Sequence, residues 1–490
     1  MEAVTVSFSV TAPLWIGIFF GVIIGGLAEL WGISNSDVLL KLAKWEDRLF
    51  INCIAIAIGV GAVLLYGLAA LGVGFHYGVK PEYIIGVALG GLIFGIGVAI
   101  AGYVPGTEWM ALGEGRREAI YAVFGGLLGA ASWTILYQTA VGQWLVNTLN
   151  YGPIYLAGKA GTNLDLGFLI SLAWAVAMFG VAYYLPRYQN GKSCIYMATH
   201  PNYKMTEIEL SIHEETSKML TEGSAMPVGP SDHLAYSVNN HWAPKSDLRW
   251  LLTFVGAIIG AVVVLEMFLH QIFGESTTYS WIVGYLWLPS YSYSQLVFKT
   301  IGWEPYSDIG TLLGSFLAAI FVSRRFQAFN AWIPKTWQKR FGSSELKRDI
   351  GVFLGSYLVL FGARMAGGCA SGHILSGDLQ MALSSIEFFA FVAFSLLVTG
   401  KLLYGGKNRG EHQMNRSSPQ QIRKSERDVK LFVTFMTILI IIVAALTVGS
   451  YNGYSPNPSS VAITGFLLLL TVLITAVWYK TKYPGYIRAD

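Results

Sequence analysis

Long apolar runs alternate with short polar connections along nearly the whole chain. The runs fall at about 14–33, 50–73, 83–104, 118–139, 166–186, 250–273, 308–324, 349–369, 383–404, 429–449 and 460–479. A helix needs about 20 apolar residues to cross a bilayer, so the pattern predicts eleven spans. Two more apolar stretches, 140–160 and 279–298, are rich in Tyr, Trp, Gly and Pro and read as interfacial or re-entrant pieces. The predicted fold class is an all-α polytopic membrane protein.

The polar breaks divide the chain. Residues 1–186 form a first membrane half, 187–249 a polar loop, 250–404 a second membrane half, 405–428 a basic loop and 429–490 two additional helices. The long loop carries acidic residues from Glu207 to Glu222 and predicts a small helix around 206–221. It reads either as a contact for a soluble partner or as a solvated linker.

Charge then orients the chain. With connections assigned alternately to the two sides, one side holds Lys41, Lys44, Arg48, Arg116, Arg117, the basic loops and Lys480, Lys482 and Arg488. The other holds Lys80, Lys159 and Lys299. Basic residues favour the cytoplasmic face. The expected orientation in the cell (inner) membrane is N-terminus outside and C-terminus cytoplasmic. The first apolar run lacks a basic n-region before it and is too long for a cleavable signal, so it is expected to stay as a helix.

Composition agrees with this class. The chain is 54% hydrophobic and 13% charged, against about 25% charged in soluble proteins. The net charge of +4 comes from loop clusters and does not point to nucleic acid. Cys53, Cys194 and Cys369 lie far apart with no CxxC or Cys/His spacing, so no metal, cofactor or disulfide framework is expected.

The two halves contain related segments. Residues 85–90 read IGVALG and 350–355 read IGVFLG. In that register Gly97 meets Gly362, Ala101 meets Ala366, Gly102 meets Gly367 and Val104 meets Cys369. After one inserted residue, Gly106 meets Gly372 and Thr107 meets His373. The matched spans are the third and the eighth, which cross in opposite directions. This predicts two inverted repeats with broken helices at a central pathway, as in many secondary transporters. A weaker match joins 17–26 to 308–319.

The candidate chemistry sits at those breaks. Arg364-Met365-Ala366-Gly367-Gly368-Cys369-Ala370-Ser371-Gly372-His373 places a guanidinium, a thiol and an imidazole between two apolar stretches. Ionisable groups at membrane depth usually face an interior or a path. Cys369 offers a weak S–H donor or a thiolate, or is a small buried hydrophobe. Arg364 suits an oxyanion, or pairs with Glu387 or Glu29. Gly367 and Gly368 allow close approach of substrate, or only tight packing. Ser371, Gly372 and His373 lie where a new helix begins and N–H groups are free. In the first half the matching positions are Tyr103, Gly106 and Thr107, with Pro105 stopping the helix. Tyr103 and Thr107 are candidate hydrogen-bond donors to substrate, although a Tyr at a helix end is more often an interfacial anchor. Glu266 and His270 share a helix face, as a proton pair or a structural hydrogen bond.

With both motif segments in view, the chain resembles the YeeE/YedE sulfur-transport family, which includes bacterial thiosulfate transporters. The resemblance rests on GARMAGGCASGHILSG (362–377), AGYVPGT (101–107), GEGRREA (113–119) and the stretch from Gly17 through Glu29 to Asp47. It covers about 14–135 and 250–400. It implies a pore-like helical fold in which cysteines line a constriction and thiosulfate passes by transient hydrogen bonds to thiols. One departure stands out: where the family commonly has a first-repeat cysteine, this chain has Val104.

The expected function is therefore a transporter or channel, not an enzyme, for thiosulfate or a related sulfur-containing anion passing Cys369. A cytoplasmic sulfur-carrier protein or membrane-complex subunits are conceivable partners. Two alternatives remain at the level of sequence. One is a membrane subunit that keeps the fold but scaffolds a complex, which Val104 and the two extra helices favour. The other is a sulfur transferase carrying a persulfide on Cys369, which needs an activated thiolate.

Overall fold

A computed structural model describes residues 12–200, 202–221, 246–405, 424–448 and 456–482. The middle parts of the 187–249 and 405–428 loops, and Arg488, lie outside the described residues. In the first half the helices are α1 (Gly17–Trp31), α2 (Ser36–Ala43), α3 (Phe50–Ala70), α4 (Ile84–Ala101), α5 (Pro105–Gly113), α6 (Arg117–Tyr137), α7 (Ala140–Asn147) and α8 (Leu164–Tyr184). The loop carries α9 (Cys194–Thr199) and α10 (Glu207–Thr221), the latter where a helix was expected. The second half holds α11 (Ser246–Phe268), α12 (Thr277–Leu286), α13 (Ser292–Thr300), α14 (Glu304–Phe321), α15 (Lys335–Phe341), α16 (Glu345–Met365), α17 (Ser376–Leu379) and α18 (Leu383–Tyr404). Last come α19 (Lys424–Val448) and α20 (Pro458–Lys482). Two short antiparallel ribbons, Glu82–Tyr83 with Asn150–Gly152 and Ile154–Tyr155 with Gly158–Lys159, complete the chain.

Among the described residues seven helical segments are long and apolar enough to cross a membrane: Phe50–Ala70, Ile84–Gly113, Arg117–Tyr137, Leu164–Tyr184, Leu383–Tyr404, Arg427–Leu446 and Pro458–Thr481. Leu14–Leu30 and Thr253–Phe268 are shorter apolar helices. Of the eleven expected runs, the remaining two correspond to α14 and α16. These carry Glu304, Asp308, Arg348, Asp349 and Arg364, all buried. A helix surrounded by other helices does not need an apolar surface, because protein rather than lipid covers its polar groups. The 140–160 and 279–298 stretches become α7 with the ribbons, and short helices α12 and α13.

Glycine sets how closely the central helices approach. Along α4 and α16 the contacts run in opposite directions. A Cβ on Gly90 would lie 2.6 Å from the Gly362 oxygen, and one on Gly97 would lie 2.6 Å from the Gly355 oxygen. Backbone therefore meets backbone, which only residues without side chains permit. α18 packs on α4, and α6 packs on α16. A second seam joins α1 to α14, where a Cβ on Gly21 would lie 2.0 Å from the Ser307 oxygen and one on Gly25 2.1 Å from the Thr311 oxygen. Here residue numbers rise together, so the two helices are parallel. The weaker sequence match between them thus reflects a shared small-residue seam; helices related by inversion would be antiparallel.

Buried ion pairs fasten the polar ends. Glu29 accepts from Arg325 Nη2 at 2.9 Å and from the Ser323 hydroxyl at 2.6 Å. Glu118 accepts from Arg348 Nε, the Tyr103 hydroxyl and the Ser36 hydroxyl, each at 2.6 Å. Breaking one partner of such a pair typically costs about 3–5 kcal/mol, because the other charge is left uncompensated. Helices α19 and α20 pack on each other and on α14, with the Tyr479 ring 5.7 Å from Phe326.

Candidate anion site

Both motif segments are helix breaks of the same kind. α4 ends at Gly102, whose φ is 75°, and α16 is followed by Gly367, whose φ is 81°. Left-handed backbone of this sort favours glycine. The residues that the sequence register pairs, Gly102 and Gly367, thus adopt the same conformation. After the first break Val104 is extended, and Pro105 opens α5. The Thr107 hydroxyl accepts from Val104 N and donates to Val104 O, both at 2.9 Å. After the second break Cys369 leads into a single π-helical turn, Ser371–Leu375, and then α17.

The two breaks face one carboxyl group, that of Glu275. A Cβ on Gly106 would lie 1.7 Å from Glu275 Oε2, and the Ser371 hydroxyl points at the same carboxyl. Glu275 belongs to the connection between α11 and α12, which crosses the site. Ser376 of the second motif donates to the Phe273 carbonyl of the same connection at 2.9 Å.

Arg364 sits beside this connection. Its Nη1 donates to Ser276 at 2.7 Å and Thr277 at 3.1 Å, and its Nε donates to the Tyr293 hydroxyl at 2.9 Å. Neither expected carboxylate partner is there: Glu29 binds Arg325, and no ion pair to Arg364 occurs among the described residues. Its nearest facing acid, Glu304, accepts from Thr277 N and, at 3.1 Å, from Thr278 N. Lys80 lies over the Gly368–Gly372 turn, with Cε 3.6 Å from a Cβ built on Gly368 and 3.9 Å from one on Gly372. It faces Arg364, Glu304 and Cys369.

The thiol is 1% exposed and 3.0 Å from the Ser371 hydroxyl. Tyr83, Tyr279 and Phe388 share its packed cluster. His373 braces the turn. Its Nε2 is 2.9 Å from the Ala366 carbonyl, and its Nδ1 is 3.1 Å from the Ser385 hydroxyl. A carbonyl only accepts, so Nε2 carries hydrogen. The ring stacks on Phe388 at 4.6 Å.

The structure brings Cys369, Arg364, Gly367, Gly368, Ser371, Gly372, His373 and Gly106 into one region. It separates Tyr103, whose hydroxyl turns to Glu118, and it occupies the Thr107 hydroxyl in its own helix cap. Glu266 and His270 do not bond: both Glu266 oxygens are buried without a partner, while His270 stacks on His76 at 5.9 Å. Cys53 is buried in a separate apolar cluster. Sequence reasoning missed Lys80, Glu275, Glu304 and Tyr293. A faint signal was available in the Gly274-Glu275-Ser276-Thr277-Thr278 run, an acid amid small polar residues between two spans.

Helices of this length and apolarity, with permanent cations buried at broken turns, define a multi-pass membrane transport protein. The chain belongs to the sulphur transport family, whose sequence profile matches residues 39–398. It is also similar to the thiosulfate transporter TsuA of Spirochaeta thermophila, 21% identical over 379 residues that cover 76% of this chain and 93% of that protein.

Proposed function

We propose that this protein moves thiosulfate, or a closely related sulfur-containing anion, across the inner membrane past Cys369. The observation that carries the reading is Arg364: a buried guanidinium held only by hydroxyls, one helical turn from a glycine break. A permanent charge taken out of water needs compensation, and an anion supplies it with the fork geometry that guanidinium matches. Lys80 adds a second cation, and Ser371 and Cys369 add donors on the facing side. Because the thiol is buried, passage requires the turn around it to open.

The glycine contacts favour an inverted repeat. In the sequence register Gly90 is equivalent to Gly355, Gly97 to Gly362 and Ala101 to Ala366. The contact of Gly90 with Gly362 and Ala366 then maps onto the contact of Gly355 with Gly97 and Ala101, as a two-fold relation demands. The charge asymmetry of the loops supports an outside N-terminus and a cytoplasmic C-terminus. A carrier protein on the cytoplasmic side would meet α10 and the basic loops.

The test is thiosulfate-dependent growth and labelled uptake in cells whose other sulfur-oxyanion uptake routes are deleted. Uptake is expected with the intact chain and to fall at least tenfold in Cys369→Ala and Arg364→Met. Unchanged uptake in both variants would remove this site. Val104 favours a second reading, a non-transporting subunit. Purification with stoichiometric partners, together with liposomes that pass no thiosulfate, would establish that reading instead.

A further inference from the structure

We propose that anion binding at this site is coupled to proton uptake by the buried carboxyls of Glu275 and Asp308, so that the protein works as a proton–anion symporter. The inference rests on the anion-transport reading and adds its driving ion. Four acids gather beside the site: Glu266 on α11, Glu275 on the connection, and Glu304 and Asp308 on α14. All are at most 6% exposed. Glu275 faces Glu304, Glu266 faces Glu275, and Asp308 faces Glu304, Glu275 and Cys369. The cations reaching the group are Arg364 and Lys80, both through Glu304. Glu108 and Tyr279 close the remaining side. The Tyr279 hydroxyl donates to Glu108 Oε2 at 2.6 Å, and Tyr279 faces Asp308 and Glu275.

Hydrogen bonding separates the four acids. Glu304 accepts from two backbone N–H groups at the start of α12. Both oxygens of Asp308, both of Glu266 and one of Glu275 are buried without a partner. Two buried hydroxyls, Thr311 and Thr278, point at Glu275 and Asp308 respectively without reaching hydrogen-bonding geometry. Carboxylates outnumber cations here, and a dianion would add two further negative charges. The added negative charge raises the proton affinity of every carboxylate it faces, so a group still ionised in the empty site takes up a proton as the anion binds. Each proton transfers from water to a carboxylate oxygen, giving a neutral acid that then donates to a neighbouring oxygen. If the anion raises proton affinity, protons raise anion affinity by the same factor.

The experiment titrates the purified full-length chain in detergent with sodium thiosulfate, in weak buffer with a pH indicator, and measures affinity from pH 6 to 8. Uptake of at least one proton per bound thiosulfate is expected, with affinity falling about tenfold for each unit rise in pH for one linked proton. In Glu275→Gln and Asp308→Asn that slope should flatten, and in the double variant vanish. Thiosulfate binding with no proton uptake and no slope would overturn the coupling and leave the transport reading standing. A slope intact in both variants would overturn the assignment to these acids. Affinity that requires sodium and ignores pH would overturn the proton as coupling ion. Absence of thiosulfate binding at every pH would remove both readings. The wild-type proton count stands whether or not the variants fold.

Discussion

Lys80 shows how one side chain changes the site without a conventional contact. It is partly buried, lies over two glycines of the cysteine turn and shares the space with Arg364. Replacing it by Gln is expected to weaken thiosulfate affinity about tenfold at low salt, the scale of one close charge. Raising the ionic strength should narrow that gap, and calorimetry at two salt concentrations checks both. His373 has the opposite character, since both ring nitrogens are committed to the fold. His373→Phe is expected to lower the melting temperature through two lost hydrogen bonds, each worth about 1 kcal/mol, measurable by thermal unfolding in detergent. The sequence exposed Cys369, Arg364 and the glycines because charge and broken backbone are conspicuous in an apolar run. It hid Glu275 and Lys80 because both lie in connections, where tertiary folding alone decides what they meet. Tyr103 and Thr107 look equally like donors in the sequence; only the fold commits one to Glu118 and the other to its own cap.

At the scale of elements, the glycine seams decide which substitutions the fold tolerates. Gly97→Leu forces a side chain into the Gly355 carbonyl and the Val359 amide. Its expected cost is above about 3 kcal/mol, the regime of severe overpacking. Gly180 on α8 has open space around it, and Gly180→Ala should stabilise by about 0.5–1 kcal/mol through helix propensity. Thermal midpoints of the two variants in one detergent compare them directly. The helix boundaries were largely legible from hydropathy. The status of α14 and α16 was less so, since charges that mark a loop in isolation are admissible once neighbouring helices cover them. Register matching found the antiparallel α4–α16 pair. It also joined α1 to α14, because small-residue packing leaves the same trace in a parallel seam.

For the molecule as a whole, the family match stops at residue 398, just short of the end of α18, while α19 and α20 still cover an apolar face of α14. Truncation after Gly405 is expected to preserve thiosulfate uptake while lowering the melting temperature, by about 1–2 °C for a loss of about one to two kcal/mol in a chain of this size. The face that carries α10 has its own fastening. Lys339 donates to both oxygens of Glu215 at 3.0 Å, and Lys41 lies 3.9 Å away. Burial works to raise the Glu215 carboxyl, but Lys41 and Lys339 hold it below its ordinary value. A depressed carboxyl stabilises above its unfolded value and loses that contribution as pH falls through the folded one. The protection of the α10 amides, corrected for the pH dependence of the intrinsic exchange rate, should therefore fall in acid.

Interlocked main chains along α4 and α16 carry a mechanical consequence. Two helices whose glycines press on the partner's main chain, with side chains as small as Ala101 and Ala366 beside them, have little to slide or repack, so the seam behaves as an axle rather than a hinge. Any opening that admits an ion must then come from the thin parts laid across it, above all the strip from Leu269 to Ser276. Spin labels spanning the seam should keep their separation when thiosulfate binds, while labels on that strip shift.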